Sequence, residues 1–494
     1  MKPVFAALLL AAAMPMPLLA QAAPAAPAAV PGEGPEDARL KALFAASDEA
    51  SLKRSPLSAL ARGDLRYADT IGDMLTESAT AAAKNAVEHD LAALATIDRA
   101  KLTPVNRIAY DVFRTSNETD LKSFAPDMIR IERLLPIDHF NGLHTGYAYL
   151  ASGDGPAPFK TVLDYENNLK RNAQYVVVLD RAIGLFREGM KANVTQPRLV
   201  VENMIDQFDN LAKQGVEGSV FYGPVKTFPD TIGAADRKRL TAAYAKQVRE
   251  VLNPAHAKMR DFLKTEYLPH ARSTIGISAL PNGDKIYAYL IETNTTLPLT
   301  ADYVHNLGLS EVARILKEMD AQKDAVGFKG TLAEFFTYMR TDPKFQPKTA
   351  EEVRLGYEAI GKRVDARIRE QFSLIPKTRL EIRPVPAFRE KTDAGGSYNG
   401  GTPDGSRPGV FFYNTYDLPN RYLWGMETLY LHEAIPGHHF QISLAQENEA
   451  LPNVIRFGGN TAYVEGWALY AESLWKDLGM ETDPYQRMGG LSDE

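Results

Sequence analysis

The chain has 494 residues, 45% hydrophobic and 24% charged, the profile of an ordinary globular protein. Its formal net charge is −6 and it has no basic run, which argues against a nucleic-acid surface. Cysteine is absent, which excludes disulfides, a thiol-linked lipid anchor and thiolate metal ligands, so any metal must be held by histidine and carboxylate.

Residues 1–22 have the form of a signal peptide. Lys2 supplies the charged start, Val4 to Leu19 is an apolar run, and Ala20-Gln21-Ala22 is a small-x-small cleavage signal. Pro15 and Pro17 interrupt a helix there, and the run is short for a membrane span. The mature chain is therefore expected to be periplasmic or secreted, with no membrane anchor after cleavage. Residues 23–35 are rich in Ala, Pro and Gly and read as a flexible leader. From residue 36 to 494 a single helical domain is expected. Pro35-Glu36-Asp37 opens a first helix, with Leu40, Leu43 and Phe44 at helical spacing. Amphipathic stretches recur near 74–98, 104–121, 159–189, 234–268, 300–321 and 348–373, separated by loops rich in Gly and Pro. No fixed-period repeat is present, which argues against a solenoid.

The pattern changes between about 376 and 415. Leu380 to Val385 begins with period-two alternation, and Val410-Phe411-Phe412-Tyr413-Asn414 is a β-type run. Six glycines lie between them, with no Gly-Lys-Ser/Thr to make a phosphate loop. A hairpin or small sheet is expected there, with an edge available to an extended peptide.

Three of the nine histidines, His432, His438 and His439, fall within eight residues, with Glu433 beside the first. In His-Glu-x-x-His on a regular helix, the two imidazoles lie about 40° and roughly 6 Å apart and reach one ion. Here position 436 is proline, and the next histidines stand six and seven residues after His432. Pro436 cannot bond to the carbonyl of His432, and Gly437 tolerates unusual dihedrals. A helix bulge of two extra residues brings His438 to the ligand position, and one of three residues selects His439. The two-residue bulge is preferred, leaving His439 behind the ligands or facing substrate.

A catalytic zinc takes three protein ligands and keeps one position open. Glu465 is the candidate third ligand, on a helix capped by Asn460 or Thr461 with Val464, Trp467, Ala468, Ala471 and Leu474 as its buried stripe. No basic residue stands three or four positions from Glu465, whereas Glu472 has Lys476 at i+4 as an ordinary ion-pair partner. Glu433 is then the general base, and Tyr470, Tyr398, Tyr413 and His439 are candidates to stabilise the oxyanion.

His432-Glu-Ala-Ile-Pro-Gly-His-His-Phe-Gln441 followed by Glu465-Gly-Trp-Ala-Leu-Tyr-Ala-Glu472 resembles the bacterial family catalogued as domain of unknown function 885. Leu374-Ile-Pro-Lys377, Arg383-Pro-Val-Pro386, Gly405-Ser-Arg-Pro-Gly409 and Leu307-Gly-Leu-Ser-Glu-Val312 resemble it too. The resemblance implies a relation to glutamate-zincin metallopeptidases: a mainly α fold with a small β-sheet beside the active-site helix, an active-site region over about 376–478, one Zn2+ on His432, His438 and Glu465, and Glu433 as base. It also implies further helices past residue 494, with an Arg-rich stretch and another histidine, so that the domain lacks a C-terminal part.

The expected function is an exported zinc-dependent hydrolase, a peptidase on short peptides, with a peptide or small molecule as substrate. Rival expectations are a metal- or peptide-binding protein without turnover and a zinc esterase or amidase.

Overall fold

The computed structural model describes residues 32–494, so the expected signal peptide and most of the leader lie outside the described residues. The chain is mainly α, with a small three-stranded sheet. The predicted stretches fold at Glu77–Leu94, Pro104–Ser123, Val162–Lys191, Ala301–Ala325 and Ala350–Asp365, and the first helix opens at Pro35. Among the described residues, no helix is long and apolar enough to cross a membrane.

The stretch expected at 234–268 shows how sequence shapes these helices. It runs as Ala234–Gln247, a π-turn at Val248–Leu252, Asn253–Phe262 and a second π-turn at Leu263–Tyr267. Each π-turn comes just before a proline, Pro254 or Pro269. Proline offers no N–H and crowds the carbonyl four residues back, and the widened turn absorbs both defects. The helix goes on past Pro254 and closes at Pro269 in the 3-10 turn Leu268–His270.

This helix packs with Val162–Lys191 and Arg198–Lys213 around the largest apolar cluster, which includes Tyr175, Phe186, Phe208, Met259 and Tyr267. A second cluster surrounds the sheet. It joins Val353, Tyr357 and Ile360 of Ala350–Asp365 to Phe411, Tyr413, Tyr430 and Leu431.

The sheet contains β1 (Leu380–Pro384), β2 (Gly396–Asn399) and β3 (Gly409–Tyr413), in the order β1-β3-β2. β1 lies parallel to β3, with Leu380 opposite Gly409, and β2 runs antiparallel to it, with Gly396 opposite Tyr413. β3 is buried along its whole length. Phe411 and Tyr413 enter the second cluster, while Val410 and Phe412 pack with Val385 and Tyr149 on the other face. A strand covered on both faces shows no polar alternation, which is why it reads as a plain apolar run.

Candidate metal centre

The helix Met426–Glu433 is apolar on several sides because it sits inside the second cluster, where Met426, Tyr430 and Leu431 are buried. Its last two residues are His432 and Glu433. The sequence predicts a bulge within one continuous helix from here to His439. The chain instead breaks. The helix ends at Glu433, the Ile435–Pro436 peptide is cis, and a new helix, His438–Glu447, starts at His438. The break follows from the same residues that suggested a bulge. Pro436 cannot continue the hydrogen-bond ladder. Gly437 then lies so close to the preceding helix that a Cβ would overlap the carbonyl oxygens of His432 and Leu431. The chain folds back on the helix end and starts again, which sets His438 beside His432 with ring centroids 4.7 Å apart and planes at 86°.

The third element is the helix Thr461–Ser473. Asn460 caps it, accepting a hydrogen bond from the Tyr463 amide. The Trp467 indole N–H donates to the carbonyl of Pro436 at 2.7 Å and ties this helix to the break. Of the predicted buried stripe, Ala468 and Ala471 are fully buried, and Val464, Trp467 and Leu474 are partly covered. Glu465 projects toward the histidines. Its Oε2 lies 3.3 Å from His432 Nε2 and 3.7 Å from His438 Nε2. One donor atom from each of the three residues falls within 4.8 Å of the others. Tetrahedral ligands at 2.0–2.1 Å from zinc stand about 3.3 Å apart, so the spacing and the His/His/Glu donor set both fit such an ion. Glu465 is 49% exposed on its side chain, whereas His438 is buried.

Glu472, one turn pair beyond Glu465, was expected to pair with Lys476. It pairs instead across to the His432 helix. His432 Nδ1–H donates to Glu472 Oε1 at 2.7 Å, and Thr428 Oγ1 donates to Glu472 Oε2 at 3.3 Å. The Lys476 ammonium lies over the Trp475 ring. A carboxylate facing a half-buried imidazole N–H gains more there than from an exposed lysine. The spacing of seven between Glu465 and Glu472 carried this signal, since it puts both carboxylates on one helix face.

Glu433 is 7% exposed and lines a cavity of about 470 Å³ with His432 and Glu472. Burial, reinforced by the charge of Glu465 and opposed by His432, pushes its carboxyl up to about 7. Burial lowers the His432 imidazole, but the hydrogen bond to Glu472 and the charges of Glu433, Glu472 and Glu465 outweigh it, for a net rise. Burial and the neighbouring His432 lower His438, against the pull of Glu465.

The remaining predicted residues fall elsewhere. His439 is 2% exposed and faces the sheet, where its Nδ1 shares a 3.0 Å hydrogen bond with the Tyr398 hydroxyl. Burial holds its imidazole down to about 4. Gly409 makes room for this pair, since a Cβ there would overlap the Tyr398 hydroxyl. Tyr413 is buried in the second cluster beside Tyr357. Tyr470 is 50% exposed, its ring against Trp467. It is five residues after Glu465, about 140° around the helix, so the structure does not bring it to the cluster. Two cavity residues carried no signal in the sequence: Tyr357 and Arg421. Burial and the nearby Asp493 raise the Tyr357 phenol, so it stays protonated, a hydrogen-bond donor on the same cavity as Glu433.

A family model described as "Bacterial protein of unknown function (DUF885)" matches residues 56–494. No curated protein matches the chain. Among solved structures, the chain is similar to "the putative lipoprotein from Colwellia psychrerythraea", at 23% identity and a TM-score of 0.82, over 93% of this chain and 81% of that one. At this identity the likeness concerns the fold alone.

Proposed function

The chain belongs to the DUF885 family of bacterial proteins, whose description names no activity, and from its site we propose that it is an exported zinc-dependent hydrolase acting on short peptides. The observation that carries this reading is the convergence of His432 Nε2, His438 Nε2 and Glu465 Oε2 beside the buried carboxyl of Glu433. Two imidazoles and one carboxylate, with a position left open, form the ligand set of a catalytic zinc site. A zinc ion held there supplies a Lewis acid that activates water and polarises the scissile carbonyl.

The chain's own residues do the rest. Glu433, buried beside the ligands, takes a proton from the attacking water and passes it to the leaving amine. Glu472 fixes the ring of His432 so that Nε2 faces Glu465 and His438. Tyr357 offers a phenol hydroxyl to the oxyanion from the wall of the cavity. β2 is an edge strand next to this cavity, since Gly396 belongs to both, and an edge strand is the element on which an extended peptide can pair.

The test is metal analysis and peptide-library digestion on the mature chain. One zinc per chain is expected, with peptide cleavage that falls by roughly a hundredfold or more in Glu433→Gln while zinc stays bound. Zinc-loaded chain that cleaves esters but no peptide would move the assignment to an esterase. Absence of stoichiometric zinc, or full activity in Glu433→Gln, would remove the reading.

A further inference from the structure

Arg421 is a cation in the wall of the cavity, and no carboxylate among the described residues lies within 4.0 Å of its guanidinium. The side chain is nonetheless held in place. Its Nε donates to the Tyr416 carbonyl at 3.1 Å, and its Nη1 lies over Gly395. Both supports are fixed by one residue. Asn414, 3% exposed, donates from Nδ2 to the carbonyls of Glu390 and Ala394, and its Oδ1 accepts from the Tyr416 amide. The main chain adds a bond from the Asn414 amide to the Gly395 carbonyl. Asn414 thus locks the segment before β2 to the turn after β3, and the guanidinium rests on both. A preorganised guanidinium with free terminal N–H groups is a fork for a carboxylate.

The surroundings give the site a direction. Tyrosines aside, the other titratable groups lining the cavity are the acids Glu433, Glu472 and Asp493 and the imidazole of His432. Glu472 is committed to His432 and Thr428. Away from the proposed metal ligands, Arg421 is the cationic side chain that the cavity wall offers to an anionic group. Arg421, Tyr357 and Glu433 all line this one cavity. The volume of about 470 Å³ is that of a pocket for a small ligand.

We propose that Arg421 is the substrate-positioning residue of this cavity and binds a carboxylate of the substrate, the free C-terminus of a short peptide or an acidic side chain next to the scissile bond. This rests on the hydrolase reading for its reaction but not for its binding chemistry.

Two peptide pairs test it by calorimetric titration of the Glu433→Gln chain. One pair is an N-acetyl tripeptide as free acid and as amide; the other is an amidated peptide with Asp or with Asn. The acid member of one pair is expected to bind roughly tenfold tighter or more, and the responding pair identifies the source of the carboxylate. In the double variant with Arg421→Gln the gap falls below about twofold, and the neutral peptide binds as before. Arg421→Lys retains part of the gap, because charge survives and the fork does not. Chelator-treated chain is expected to keep the gap even where overall affinity drops, which separates this site from the metal. Equal affinities within both pairs, a gap that survives Arg421→Gln, or no binding by any peptide would overturn the proposal. Zinc content, read on the same samples, judges the metal reading independently.

Discussion

Glu472 illustrates how one side chain serves a site without entering it. Its two oxygens accept from His432 and Thr428, so it fixes a ring from a neighbouring helix through the nitrogen that faces away from Glu465. Partners of this kind set the tautomer and orientation of a metal-binding imidazole. Glu472→Ala is expected to weaken zinc binding roughly 10–100-fold in a chelator competition titration, with little change in secondary structure by circular dichroism. Glu481 makes a separate prediction about pH. Its side chain is buried, and although Arg487 lies 2.9 Å away, burial pushes its carboxyl up from 4.5 to about 7. The folded state therefore holds this proton more tightly than the unfolded chain. Its stabilising contribution is full below about 4.5 and is lost as pH rises through about 7. Thermal melts of Glu481→Gln are expected to show a smaller fall in stability between pH 5 and pH 8 than the parent chain does.

At the scale of elements, the break at 434–437 decides the site. A continuous helix would put His438 about 120° around the axis from His432. Two short helices meeting at Gly437 put the rings in contact instead. The close approach is specific to glycine, because any side chain would press on the carbonyls of Leu431 and His432. Gly437→Ala is expected to lose about 1–3 kcal/mol of stability and most of the zinc affinity together, measured by denaturant unfolding and metal titration. Prolines elsewhere had a milder effect. Pro254 is accommodated by a π-turn in a helix that continues, and Pro269 sits in the short 3-10 turn that closes it, whereas Pro436, followed by glycine, breaks the helix outright. The sequence alone located the disturbance at 436–437. It did not distinguish a bulge from a break, because that depends on what packs on the turn: Trp467 from another helix donates to the Pro436 carbonyl.

In the whole molecule, the helical cluster around Phe186 and the cluster around the sheet are distinct sets of buried side chains, and the proposed metal ligands belong to elements of the second. Tyr149 touches Phe412 edge-on and links the two regions across the sheet. Phe186 is fully buried in the first cluster. Phe186→Ala is expected to cost about 3–5 kcal/mol in denaturant unfolding, yet the folded fraction should bind zinc with unchanged affinity. The helix Ala301–Ala325 leaves Leu309, Val312 and Leu316 exposed at spacings of three and four. The sequence showed them as part of an amphipathic pattern, and only the packing shows which apolar positions remain uncovered.

By itself the sequence determined the helical character and the location of the strands β1 and β3, and it singled out His432, Glu433, His438 and Glu465 as one candidate set. These are local properties: periodicity, turn residues and the short list of side chains that can bind a hard or borderline cation. The tertiary structure decided what depends on contacts between distant segments. It turned His439 toward Tyr398, left Tyr470 half in solvent, and took Glu472 from Lys476 to His432. It also brought Tyr357 and Arg421, 75 and 11 residues before His432 in the chain, to the cavity beside Glu433. No spacing rule relates such positions, because their neighbourhood is set by how helices and sheet pack rather than by the geometry of any one element.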